Sequence, residues 1–147
     1  MNVEYEQTIE IDAPPDRVWN VMSDVERWPE WTPSVSGAQL LDAGGLRPGQ
    51  RARLRQPRLP VAIWTVERIE HGRTFAWRSD AAGLSSVGEH TVEPKDAGSS
   101  RVVVRLTHSG ALAGPVRVIY GGLIRRYVRF EAEGLKRAVE SKEPTES

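Results

Sequence analysis

The sequence predicts an α+β fold in which one strand and two short helices precede an antiparallel meander of six strands and a long C-terminal helix. Three observations carry that prediction. Residues Val3-Tyr5-Gln7-Ile9-Ile11 alternate with Glu4, Glu6, Thr8 and Glu10, a period of two that marks a half-exposed strand. Between residues 36 and 109, further strand-like segments are separated by clusters of glycine, proline and aspartate, the chemistry of tight turns. After Gly110 the period lengthens to that of an amphipathic helix.

Each element has a local cause. Asp12-Ala13-Pro14-Pro15 stops the first strand, because consecutive prolines cannot donate to a ladder. Asp12 or the proline pair opens a short helix over residues 16–23, with Val18, Trp19 and Met22 on one side. Residues 24–28 add one more turn before Pro29 ends it, and Trp28-Pro29-Glu30-Trp31-Thr32-Pro33 is too proline-rich for regular structure. Strands are expected over residues 36–41, 50–55, 61–70, 74–80, 84–93 and 101–109. Gly44-Gly45, Pro48-Gly49, His71-Gly72-Arg73 and Pro94 to Gly98 make turns between them. The last helix is expected over residues 115–140, about 39 Å at 1.5 Å per residue, with Pro115 favourable in its first turn. Val116, Ile119, Tyr120, Leu123, Ile124, Tyr127, Phe130, Leu135 and Ala138 share its apolar face. Gly134 lies inside that arc at a cost of ~1 kcal/mol relative to alanine, which close approach to a strand would explain.

Composition bounds the function. A chain of 147 residues suits one domain, here residues 1–140, with 141–147 a polar tail. Twenty basic and twenty acidic residues give no excess of positive charge, which argues against a nucleic-acid partner. No apolar run is long enough for an integral membrane segment, and the acidic start does not read as a signal peptide, so a cytoplasmic protein is expected. The absence of cysteine excludes disulfides, thiolate nucleophiles and cysteine-bound zinc. The three histidines are far apart without a carboxylate cluster, so no metal and no cofactor is expected. Dinucleotide, phosphate-loop, serine-hydrolase and zinc-protease motifs are all missing. Monomer and homodimer both remain open.

The run Ile9-Glu10-Ile11-Asp12-Ala13-Pro14-Pro15-Asp16-Arg17-Val18-Trp19, followed by Asp24-Val25-Glu26-Arg27-Trp28-Pro29-Glu30-Trp31, resembles the opening of the SRPBCC superfamily. That superfamily includes START-like lipid-binding domains, polyketide cyclase/dehydrase-like proteins and Bet v 1-type plant allergens. Trp64 to Glu67, Phe75-Ala76-Trp77, Gly88-Glu89-His90, Glu93-Pro94 and Leu135 to Glu140 extend the resemblance over nearly the whole chain. It implies a helix-grip fold, in which a curved seven-stranded antiparallel sheet wraps the C-terminal helix and leaves an apolar cavity between them.

Within that frame several residues are candidates for a site. Trp28, Trp31, Trp64, Phe75 and Trp77 line a pocket for a flat or lipidic ligand, or serve only as large core residues. His90 shares a strand face with Leu84, Ser86, Gly88 and Val92. Facing inward it would orient a ligand carbonyl or move a proton, and otherwise it is a satisfied structural histidine. His108 is a weaker candidate near a strand end, and His71 sits in an exposed turn. Tyr120, Leu123 and Tyr127 belong to the helix face toward the pocket. Glu131 falls inside the apolar arc, where a carboxylate is expensive unless paired, and a salt bridge to a rim arginine is expected. Arg51, Arg53, Arg55 and Arg58, like Arg125, Arg126 and Arg129, read as solvated faces, with an anionic membrane or acyl-carrier surface as the sharper alternative.

Three functions follow from these expectations. The first is binding of a small hydrophobic molecule, a polyketide, aromatic metabolite, lipid or isoprenoid, under the last helix. The loop bearing Trp28 and Trp31 and the segment 110–114 would then form the mouth. The second is a polyketide cyclase/dehydrase-like enzyme promoting intramolecular aldol closure and dehydration, with His90, Tyr127 and Glu131 as proton carriers. The third is a stress protein or chaperone cofactor acting through its surface.

Overall fold

The structure, a computed structural model, describes residues 2–141. Strand β1 (Asn2–Ile11) runs along one edge of a single sheet. Helix α1 (Pro15–Met22) and a 3₁₀ helix (Val25–Glu30) then carry the chain to the opposite edge. There β2 (Gly37–Leu40), β3 (Arg51–Arg55), β4 (Ala62–Glu70), β5 (Thr74–Ala81), β6 (Leu84–Asp96) and β7 (Ser99–Ser109) return strand by strand until β7 pairs with β1. Every pairing is antiparallel, in the order β1-β7-β6-β5-β4-β3-β2. Helix α2 (Ala113–Glu140) lies in the concavity. The molecule has the helix-grip fold: a curved seven-stranded antiparallel sheet around a long C-terminal helix.

Period two decides which side chains enter the core. On β6 and β7 the even positions Ser86, Gly88, His90, Val92, Ser100, Val102, Val104 and His108 are buried. The charged residues between them stay on the convex face, where Arg105 meets Glu6 and Glu89, and Arg68 also meets Glu89. On β3, Ala52 and Leu54 point in and Arg51, Arg53 and Arg55 point out, the solvated face expected from the sequence. Register shifts at Val66/Arg68 and Pro94/Asp96 break the regular ladder, and such bulges increase local bending and twist.

One half of the concavity is filled. Val18, Trp19, Met22, Val25 and Trp28 pack with Ile11, Val92, Val102, Leu135 and Val139. Polar ties close that end: Asp12 N–H donates to Glu140 at 2.7 Å, and Lys136 Nζ donates to Glu10 O at 2.8 Å.

Several local expectations are corrected. The 3₁₀ helix runs through Pro29, because a segment so short needs few backbone donors and Trp31 N–H still reaches Trp28 O. Strand β6 continues through Pro94 to Asp96, with the proline beside a bulge where a missing donor is tolerated. Helix α2 starts at Ala113, so Pro115 occupies its first turn rather than its first position. Its buried face is Ile124, Tyr127, Val128, Ala132, Leu135 and Val139, while Ile119 is 72% exposed. Gly134 meets the backbone of Trp31, after the 3₁₀ helix, rather than a strand. The expected polar tail lies, beyond Ser141, outside the described residues.

Candidate functional site

The other half of the concavity is hollow. A cavity of about 570 Å³ lies between the sheet and the N-terminal half of α2, within the ~300–1,000 Å³ typical of small-molecule sites. Trp64 of β4 and Trp77 of β5 form an aromatic wall, their rings 5.6 Å apart and tilted by 33°. Leu54, Leu106 and Ile124 supply aliphatic surface, and Trp28 borders the inner end. Gly88 sits in register between Trp77 and Leu106. A Cβ there would lie 2.9 Å from Trp77 Nε1, so the glycine makes room for the indole to lie over the sheet.

A hydrogen-bonded polar pair reaches into this apolar space. His90 projects from β6 opposite Phe75 and Val104, and Glu131 projects from α2 four residues after Tyr127. Nε2 of His90 lies 2.5 Å from Glu131 Oε1, with the two side chains only 5% and 14% exposed. The imidazole stacks on Phe75 at 4.6 Å, nearly parallel, with Trp28 5.2 Å away and Trp77 edge-on at 5.9 Å. An ionised carboxylate only accepts hydrogen bonds, so with Glu131 ionised the imidazole carries its proton on Nε2. The Nδ1 atom is buried and has no partner among the described residues. In the neutral ring with Nε2 protonated it is then an unpaired lone pair.

His108 of β7 also lines the cavity, 5% exposed and edge-on to Tyr5 at 5.6 Å. Burial pushes its imidazole below the ordinary histidine range, because the cation is poorly solvated there. Tyr127 borders the cavity and donates its hydroxyl proton to Pro57 O at 2.5 Å, tying α2 to the β3–β4 loop. Tyr120 is 41% exposed on the same rim.

The candidates therefore divide. Trp28, Trp64, Trp77, His90, Tyr120, Tyr127 and Glu131 border the cavity, whereas Trp31, Phe75 and Leu123 do not. Phe75 is fully buried behind the imidazole it stacks on. Trp31 packs on Trp28 and presses its backbone against Gly134. Leu123 yields the inward position to its neighbour Ile124 and stays half-buried. Glu131 finds His90 instead of a rim arginine, since it lies deep on α2 beneath the sheet. One half of the expected mouth is also elsewhere. Trp28 is 1% exposed and donates its indole N–H to Met22 O at 3.0 Å, so the expected Trp28–Trp31 gate is part of the closed end. The exposed rim consists of Val61 and Ile63 beside the β3–β4 loop, the Asp80–Ala81 end of β5, and Tyr120 of α2. Ser79 and Ser86 escaped the sequence reading, although Ser86 shares the inward period that singled out His90.

Residues 2–140 match the family described as polyketide cyclase / dehydrase and lipid transport. The chain belongs to this family. A putative polyketide cyclase from Streptomyces halstedii is 35% identical over 92 residues, covering 60% of this chain and 72% of that protein. Among solved structures, the Zhui aromatase/cyclase from Streptomyces sp. R1128 is similar with a TM-score of 0.79 at 20% identity, over 95% of this chain and 94% of that one. A START superfamily protein from Mycobacterium smegmatis aligns with a TM-score of 0.74 at 20% identity, over 94% and 97% of the two chains. At that identity the two structures speak for the fold alone. Among the described residues of this family member, no helix is long and apolar enough to cross a membrane.

Proposed function

We propose that this family member takes a small hydrophobic molecule, a polyketide, aromatic metabolite, lipid or isoprenoid, into the cavity under α2. The observation that carries the reading is the hollow itself: about 570 Å³ of space walled by Trp64, Trp77 and aliphatic side chains. Burying a ligand's apolar surface there yields ~25 cal/mol per Å² before ordering costs. Native mass spectrometry of protein purified from its own host tests it directly. A stoichiometric compound that stays bound under native conditions and leaves on denaturation is expected. Protein of bare chain mass, together with no quenching of tryptophan fluorescence by any apolar aromatic probe, counts against it.

A second reading, cyclisation and dehydration of a poly-β-ketone, is favoured by the His90–Glu131 pair in the cavity. In that chemistry Nδ1 of His90 takes a proton from a methylene between two carbonyls, while Glu131 holds Nε2–H and stabilises the imidazolium. The enolate carbon bonds to a second carbonyl carbon, whose oxygen recovers the proton from His90. Loss of water, with proton transfer through the same pair, completes the step, and the cavity walls hold the chain folded. Tyr127, its proton engaged by Pro57 O, assists through its oxygen lone pairs or after giving up that bond. Turnover of a poly-β-ketone surrogate that falls ~10²-fold or more in His90→Gln, with binding retained, supports the enzyme. Turnover untouched by that change supports a carrier.

A further inference from the structure

Two polar stations stand along the cavity floor, and the His90–Glu131 pair accounts for only one. Ser79 of β5, Ser86 of β6 and His108 of β7 are register partners across three neighbouring strands, and all three border the cavity. Trp64 approaches the same row from β4, where Thr65 pairs with Arg78, the residue before Ser79. Ser86 is 8% and His108 5% exposed, while Ser79 is half-buried beside the exposed Asp80. Trp64 Nε1 and His108 Nδ1 are buried without a hydrogen-bond partner among the described residues. Groups left in that state carry an uncompensated desolvation cost until something bonds to them. Burial disfavours the cation of His108, and a neutral imidazole offers one donor and one acceptor.

The separation of the stations is set by the strand. Ser86 and His90 are four residues apart on β6, so their backbones are about 13 Å apart at 3.3 Å per residue. Gly88 lies midway and contributes no side chain, while Trp77 offers a flat wall beside it. The floor is thus polar, bare and aromatic, then polar again.

Resting on the reading of this cavity as a ligand site, we propose that Ser79, Ser86 and His108, with the Trp64 indole N–H, form a second subsite for an oxygen function at the far end of the ligand. The ligand class is an elongated, largely planar molecule with hydroxyl or carbonyl oxygens at both ends and an apolar body between them, such as an oxygenated three-ring aromatic. A fatty acid or isoprenoid with one polar head satisfies one station and leaves the other unpaired.

The test compares 2-hydroxyanthracene with 2,6-dihydroxyanthracene by quenching of tryptophan fluorescence. The wild-type protein is expected to bind the diol at least ~10-fold more tightly, the effect of one further bond to a buried polar group. Ser86→Ala and His108→Leu each bring that ratio toward one, with a single cooperative melting transition in each variant as the control for an intact fold. Equal affinities in the wild type, or a ratio that survives both substitutions, overturn the second subsite while leaving the cavity reading in place. Failure of both compounds to bind overturns the cavity reading, and the subsite with it.

Discussion

Glu131 places a carboxylate against His90 of the sheet, and the pair stays mostly shielded from water. Removing the acid leaves His90 Nε2 buried without a partner, so Glu131→Ala should cost about 1–3 kcal/mol in urea unfolding, and Glu131→Gln less. A midpoint unchanged in both variants would show that water replaces the bond freely. His108 makes a different forecast. Its folded-state pKa lies below the ordinary value of 6.5 because burial disfavours the cation, so on acidification the unfolded chain takes the proton first. The stability it contributes is therefore complete above about pH 6.5 and is lost as the pH falls from there toward the lower folded value. Urea titrations between about pH 7.5 and 5 should accordingly give a flatter acid slope for His108→Gln than for wild type. The inward phase of His90 could be read from period two, and the oddness of Glu131 from its place in an apolar arc. Their bond could not, because 41 residues separate them and a sequence with 17 arginines offers many nearer partners on paper.

Helix α2 shows the same limit at the level of an element. Its extent follows from periodicity and its first-turn proline, yet its inward face was misjudged at Ile119 and Phe130. An apolar stripe records which residues avoid water on average, whereas the first turns of α2 overhang the mouth of a cavity. Apolar side chains there have no protein against them, and Val118 and Ile119 remain exposed. Two glycines of this helix separate propensity from packing. Gly122 has open space where a Cβ would go, and Gly134 would drive one into the Trp31 carbonyl. Gly122→Ala should stabilise the protein by ~0.5–1 kcal/mol through helix propensity. Gly134→Ala should destabilise it by ~1–3 kcal/mol, because a backbone neighbour cannot rotate aside and overpacking exceeds the propensity gain. Chemical denaturation of the two variants decides the point, and a stabilised Gly134→Ala would mean that the Trp31 loop yields easily.

At the scale of the whole molecule, one half of the concavity is packed with Trp19, Met22, Trp28 and Leu135, while the other is left open under α2. Emptiness has no residue of its own, so the hollow was legible only through the resemblance to a helix-grip family, and the Trp28–Trp31 half of its expected mouth lies at the closed end. The proline-rich tryptophan segment looked like a flexible gate, but a buried indole bonded to Met22 O makes it a wall. An unfilled core costs stability, since cavity linings lose contacts at about 20 cal/mol per Å² of surface, and a protein retains that cost where the space has a use. Filling it should therefore separate stability from function. Ile124 is 6% exposed and borders the cavity from α2, so Ile124→Trp directs an indole into the open volume. Melting temperature should hold or rise by a few degrees, in line with the ~4–8 °C per kcal/mol of a small domain, while quenching by an apolar aromatic probe falls more than ~10-fold in affinity. A variant that melts as the wild type does and still binds the probe equally well would place binding outside the hollow. A variant that melts far lower would mean that the lining is too rigid to accept an indole, and the smaller Ile124→Phe then carries the comparison.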